Sequence, residues 1–380
     1  MLRQTLLTLA LMTAVGFAVW APPSQSGSKD ARSVVFRIEL VADGLQIPWA
    51  MAFLPDGRLL VSERAAGRLS RVDPTDGRIE PLQGGPEDVF VKDNAGMFDV
   101  VLHPHYAETG WIYYAYTAGD SALNTTVVER AQLAGLRLTD RERLFEARPW
   151  YHNSIVYGCR LAFRDGYLFI TMGDRWDLRH LSQSPGSHLG KIMRLHDDGR
   201  VPADNPFVDV PGAEPAVWAL GVRNPQGLAV HPETGLLWEH EHGPLGGDEV
   251  NIIQAGANYG WPVITYGKEY SGDPVGDGLT GREGLEQPVH YYVPSIAPSG
   301  MLFYSGELFP GWRSNLFIGA LAKTHLNRLE LDGDRVVNEE RLLEDRGWRV
   351  RALAEGPEGA IYIATDDGYV RRLVPAGALR

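Results

Sequence analysis

A single cysteine, Cys159, stands in a chain of 380 residues. No disulfide can form within one chain, so a small cross-linked scaffold is excluded. Positive charge is also short: 36 Lys and Arg face 48 Asp and Glu, a formal net charge of −12. Such a surface repels a phosphate backbone, no local basic patch offsets it, and nucleic acid is set aside as a partner. Familiar catalytic templates are missing too. The chain has no G-x-S-x-G elbow, no H-E-x-x-H pair, no P-loop and no glycine fingerprint of a dinucleotide fold. One cysteine provides no zinc cluster of the multi-cysteine kind.

Apolar length is concentrated at one place. Arg3 precedes an apolar run from Leu6 to Ala21, and a polar stretch opening on Pro22 and Pro23 follows. This is the layout of an export signal at residues 1–21, with small residues offering cuts after Ala18 or Ala21, the second disfavoured by Pro22. The alternative is an uncleaved anchor, since the run is about the minimum that spans a bilayer. Residues 22–32 read as a polar linker, and 33–380 as one domain outside the cytoplasm, with membrane contact only through that anchor.

Glycine (43), tyrosine (15) and tryptophan (10) are plentiful, which suits tight turns and aromatic-packed strands. One pattern then recurs: an apolar strand, a turn rich in Gly, Asp or Pro, and a second apolar strand. It lies at Met51–Arg64, Val100–Thr117, Leu161–Asp174, Leu228–Glu241, Met301–Leu321 and Leu353–Asp366. Each copy is a β-hairpin signal. A four-stranded blade takes about 40 to 50 residues, so the copies predict an all-β, six-bladed propeller of four-stranded antiparallel blades with long loops. Val34–Leu40 is expected to supply the strand that closes the ring. Two stacked β-sandwiches are the alternative, and the absence of a linker between copies speaks against them.

In a propeller, chemistry collects where loops converge on the channel. Arg223 and Asn224 precede a blade strand, where a guanidinium and an amide suit a polyanionic or quinone-like ligand; a surface loop closed by Pro225 is the plainer reading. Glu241-His242-Gly243-Pro244, followed by Asp248, Glu249 and Asn251, is an oxygen-rich turn whose carbonyls suit Ca²⁺, though it is no EF-hand. Arg349 and Arg351 alternate on one strand and point to one face, which implies an anion between them or a solvated edge. Lys191 and Arg194 read as structural.

The ordered blocks IPWAMAFLPDGRLLVSER (47–64), YGCRLAFRDGYLFITMGDR (157–175), GVRNPQGLA (221–229), EHGPLGGDEVN (241–251), PSIAPSGMLFY (294–304) and R-x-R (349–351) cover nearly the whole chain after the linker. In them the sequence resembles the soluble pyrroloquinoline-quinone-dependent aldose and glucose dehydrogenases, the glucose/sorbosone dehydrogenase family. The resemblance implies a periplasmic quinoprotein that oxidises the C1 hydroxyl of an aldose to a lactone and passes electrons to an unidentified acceptor. It places the cofactor over the channel mouth, with Ca²⁺ between its quinone edge and main-chain carbonyls at Gly243 and Pro244. Arg223 and Asn224 would contact the quinone oxygens, and Arg349 and Arg351 the cofactor's carboxylates. Metal and Arg223 would stabilise charge arriving on the quinone with the hydride.

Three positions depart from the family's pattern. The histidine that takes the anomeric proton sits four residues before the arginine of an H-x-G-x-R block, and here that position is Val156. An expected glutamine is Asn94, which keeps the amide with a shorter reach. An expected tryptophan before the P-S-I-A-P-S-G block is Tyr292, able to stack on a flat ring. His152 is a substitute base if its loop bends inward, and a solvent-facing imidazole otherwise. His242 is a second candidate, with an orienting role in the turn as its plainer reading. Besides the dehydrogenase, Val156 motivates a catalytically reduced propeller that binds a sugar, polysaccharide or protein partner. A lactonase-type hydrolase needs a metal cluster toward which Asp248 and Glu249 offer little.

Overall fold

The computed structural model describes residues 34–377. The export or anchor segment at 1–21 and the linker at 22–32 lie outside these residues. The described chain forms six four-stranded sheets, every neighbouring pair antiparallel where the register is defined. The six hairpins read from the sequence are the two inner strands of six blades. Their first strands are Pro48–Phe53, Met97–Leu102, Leu161–Arg164, Pro225–Val230, Pro298–Phe303 and Val350–Glu355. Each of these packs against the first strand of both neighbouring blades, which closes a ring around an axial channel. The architecture is a six-bladed β-propeller, and the two-sandwich alternative falls.

The ring is fastened by chain ends far apart in sequence. Blade six takes its outermost strand from Phe36–Ala42, which pairs antiparallel with Val370–Pro375. The closing strand therefore starts two residues later than the expected Val34–Leu40. Arg372 strengthens the seam through Glu39, its Nε donating at 2.9 Å. Among the described residues no helix is long and apolar enough to cross a membrane.

One local device repeats and positions the site. In five of the six blades the pairing of the first two strands slips near the start of the first, between Pro48 and Ala50, Met97 and Val100, Pro225 and Gly227, Ser299 and Met301, and Val350 and Ala352. A bulge bends the strand and re-aims the extra residue. The residues at these slips include Trp49, Phe98, Gln226 and Arg351, and all four line one cavity at the channel's end. Gly300 holds the fifth slip, where a Cβ would come within 2.8 Å of the Ala352 Cα, so only glycine lets the two neighbouring inner strands approach this closely.

Candidate active site at the channel mouth

The mouth is a cavity of about 220 Å³ whose wall includes Arg349, Arg351, Asn94, Asn224, Val156 and His242. Five of the residues singled out in the sequence as ligand contacts or as the missing base thus come together from blades two, three, four and six. The Arg349–Arg351 alternation does bring both guanidiniums to one place, and the anion between them belongs to the chain itself. Arg349 Nε and Arg351 Nη2 donate to Oδ2 of Asp366 at 2.8 and 3.0 Å, and Arg351 Nε donates to Oδ1 at 2.7 Å. Burial pushes the Asp366 carboxyl up, but its bonds with Arg351, and then Arg349, outweigh this and hold it below the usual carboxylate value.

Asn224 is fixed from several sides. Its Oδ1 accepts from the Gly158 N–H and from Gln226 Nε2, both at 3.1 Å. Its Nδ2 lies 3.4 Å from Nδ1 of His242. The other nitrogen of that imidazole, Nε2, sits 2.7 Å from the Pro298 carbonyl oxygen. A carbonyl only accepts, so Nε2 carries the hydrogen and Nδ1 is left as the acceptor. Burial, followed by the nearby Arg223, Arg351 and Arg349, pushes the His242 pKa down to about 3, and the ring is neutral.

Other residues singled out in the sequence lie away from this cavity. Arg223 is buried, and its Nη1 donates to the carbonyls of His242 and Gly243, each at 2.8 Å, so the guanidinium turns into the Gly243-Pro244 turn instead of the mouth. It faces a neighbouring groove of about 310 Å³ shared with Asp174, Trp176, Pro244 and Trp261. Tyr292 is a correction: it is 4% exposed in the apolar cluster that includes Ile296 and Phe303, with its hydroxyl 3.2 Å from Asn327 Oδ1, and it does not line the mouth. Strand alternation sends Tyr291 and Val293 outward and Tyr292 inward. His152 is a second correction. It is exposed, its ring lies 4.3 Å from that of Tyr151, and it too is absent from the mouth. The loop cannot bend in cheaply, because Asn153 and Arg175 bond each other and Ser154 bonds Asp93.

Val156 lines the mouth with no proton-accepting group, on a backbone of unusual shape. Its φ is +55°, in the left-handed region. Asn, Asp and His visit that region far more readily than a β-branched residue does. The conformation is held by Arg175 N–H to the Val156 carbonyl at 3.1 Å and Gly173 N–H to the Tyr157 carbonyl at 2.6 Å.

Several charged and polar residues in or beside the mouth escaped the sequence reading. Asp366 is one. Arg64 is another: it lines the cavity, and its buried Nε has no hydrogen-bond partner among the described residues. Burial, with repulsion from Arg351, pushes its pKa down to about 10. Trp49 sits among these cations, its ring centre 4.7 Å from the Arg351 guanidinium and 5.7 Å from that of Arg64. Buried Trp49 Nε1 and Gln226 Oε1 also lack partners. A cationic cavity with unpaired donors and an unpaired acceptor fits a polar, anionic organic ligand.

The metal turn is built differently. Asp248 holds it, accepting from the N–H of Gly243 at 2.9 Å and of Ile296 at 2.8 Å. The carboxylate therefore braces the turn. Among the described residues no group of three or more His, Cys, Asp or Glu side chains is arranged to hold a metal. Calcium takes six to eight oxygens, and the Gly243 carbonyl is already shared with the Arg223 cation. The chain alone does not complete a calcium shell there.

Fold and site together define a propeller with a polar, arginine-lined cavity at one end of its axis. The glucose/sorbosone dehydrogenase family model matches residues 45–372, and the chain belongs to that family. It is 38% identical over 371 residues to the aldose sugar dehydrogenase YliI of Escherichia coli, covering 96% of each chain. A crystal structure of a glucose dehydrogenase superposes with a TM-score of 0.85 at 42% identity, covering 90% of this chain and all (100%) of that one. The pyrroloquinoline-quinone-bound aldose sugar dehydrogenase of Streptomyces coelicolor superposes with a TM-score of 0.73 at 28% identity, covering 90% and 99%.

Proposed function

We propose that the protein is an exported sugar dehydrogenase, active in the periplasm, that oxidises the anomeric C1 hydroxyl of an aldose to a lactone with pyrroloquinoline quinone held in the channel mouth. The observation that carries the reading is the convergence of Arg349 and Arg351 beside the Asn224 and Gln226 amides. Family membership and the quinone-bound Streptomyces relative support it. When bound, the quinone supplies a two-electron acceptor for the hydride leaving C1. Arg349 and Arg351 would hold its carboxylates, the fork geometry of guanidinium suiting such groups. Asn224, fixed by Gly158 and Gln226, would position a polar edge. His242 stays neutral and orients Asn224, and its low pKa makes it a poor acceptor for the sugar's hydroxyl proton, which would pass to solvent water. Gly243 and Pro244 carbonyls could share a Ca²⁺ only with oxygens of the bound ligand, and the roles given to the side chains do not depend on one. Electrons then pass to a separate acceptor protein or small molecule.

Val156 favours a second reading, a propeller that keeps the ligand site but has lost much of its catalysis and serves to bind a sugar, polysaccharide or protein. Equilibrium dialysis against the quinone tests the shared premise. Retention by the wild type and a clear loss of affinity in Arg351→Ala support it; no retention by the wild type removes the quinone from both readings.

A further inference from the structure

The charges of the mouth do not balance. Three guanidiniums, of Arg64, Arg349 and Arg351, line it. Asp366 bonds the latter two. Among the described residues no carboxylate pairs with Arg64. The carboxylate beside it in sequence, Glu63, is taken by Arg68 at 2.9 Å, by Ser70, and by the Gln46 N–H at 2.8 Å. The ring of Trp49 at 5.7 Å is near the limit of a useful cation–π contact and gives Arg64 no hydrogen bond. Asp99, the next acid toward the channel interior, faces Arg160 at 3.7 Å.

Arg64 is half-buried, and leaving its buried Nε without an acceptor is unfavourable, while a packing role does not require a charge. A ligand that brings its own acceptors removes the penalty. We infer that Arg64 is a third anchor of the mouth, and that with Arg349 and Arg351 it selects ligands carrying at least two carboxylates. One acidic group of the ligand meets the Arg349–Arg351 pair, whose own charge Asp366 only partly cancels, and a second meets Arg64. The identity of the ligand as a quinone rests on the function proposed above; its charge rests on the arginines alone.

The test uses the protein free of quinone and two probes at equal ionic strength, citrate as a tricarboxylate and acetate as a monocarboxylate. Citrate is expected to raise the melting temperature and acetate to leave it unchanged. In Arg64→Leu the citrate shift is expected to vanish, and quinone affinity, followed by the quenching of tryptophan fluorescence, to fall by about tenfold or more. Arg64→Lys, which keeps the charge without the fork, should lie between. Citrate and quinone affinities unchanged in Arg64→Leu would overturn the inference. Should Arg64→Leu fail to fold, Arg64→Gln decides by the same comparison. Arg64-dependent citrate binding without any quinone binding would leave the anchor standing and sink the quinone reading.

Discussion

Arg351 grips Asp366 with two nitrogens, Nε to Oδ1 at 2.7 Å and Nη2 to Oδ2 at 3.0 Å, across fifteen residues of sequence (|i−j|=15) and one turn of blade six. The pair keeps a mostly buried arginine aimed at the mouth before any ligand arrives. Removing the carboxylate leaves Arg349 and Arg351 facing each other uncompensated. Asp366→Ala is expected to destabilise the fold by about 1–3 kcal/mol, less than for a fully buried pair because the mouth is open to water. Chemical denaturation checks this. The sign with pH follows from the depressed native pKa. The contribution is fully present above the ordinary carboxylate value of 3.8 and is lost as pH falls through the lower native one. A wild-type and mutant difference that persists unchanged in strong acid would contradict it.

Glu241 behaves in the opposite way. Its carboxyl is buried and pushed up to about 7, while the N–H groups of Arg223 and Asn224 that bond it pull the other way. The folded chain keeps this proton between pH 4.5 and about 7, where the unfolded chain has released it. Stability therefore falls as pH rises across that window, by up to about 3 kcal/mol for this group. Glu241→Gln should flatten that part of the profile in urea midpoints taken from pH 4.5 to 7.5. An identical slope in the mutant would mean that the carboxyl is ionised throughout.

Val156→His places an imidazole in the mouth on a backbone that histidine tolerates better than valine does. Dye-linked sugar oxidation should rise by about 10²-fold, the usual worth of a positioned general base. Stability should hold or rise slightly as the β-branched strain is relieved. No gain in oxidation would show that another group already takes the proton.

The inner hairpins were legible because each pairs two apolar strands across a Gly- and Asp-rich turn. Outer strands such as Ile79–Pro81 and His290–Tyr292 were not, being three residues long and set among loops. In the site, the Arg349-x-Arg351 spacing disclosed an anion, and only folding shows it to be Asp366, brought back by the next strand's turn. Arg64 reads in sequence as an ordinary charge at a strand end. Folding sets it beside Trp49 and Arg351, which lie at the slips of their strands. Tyr292 failed because strand alternation turns it inward, into the apolar cluster with Ile296 and Phe303. His152 shares a loop with Val156, but the bonds of Asn153 and Ser154 leave it outside.

The central claim is that this mouth takes a quinone and reduces it with a sugar. The most direct measurement is the absorbance spectrum of purified protein reconstituted with pyrroloquinoline quinone and Ca²⁺, before and after a panel of aldoses. The account predicts a bound quinone whose oxidised band is lost on adding an aldose, slowly in the wild type and faster in Val156→His. A quinone that passes unbound through a desalting column, or one that binds and stays oxidised with every aldose in both proteins, would contradict it.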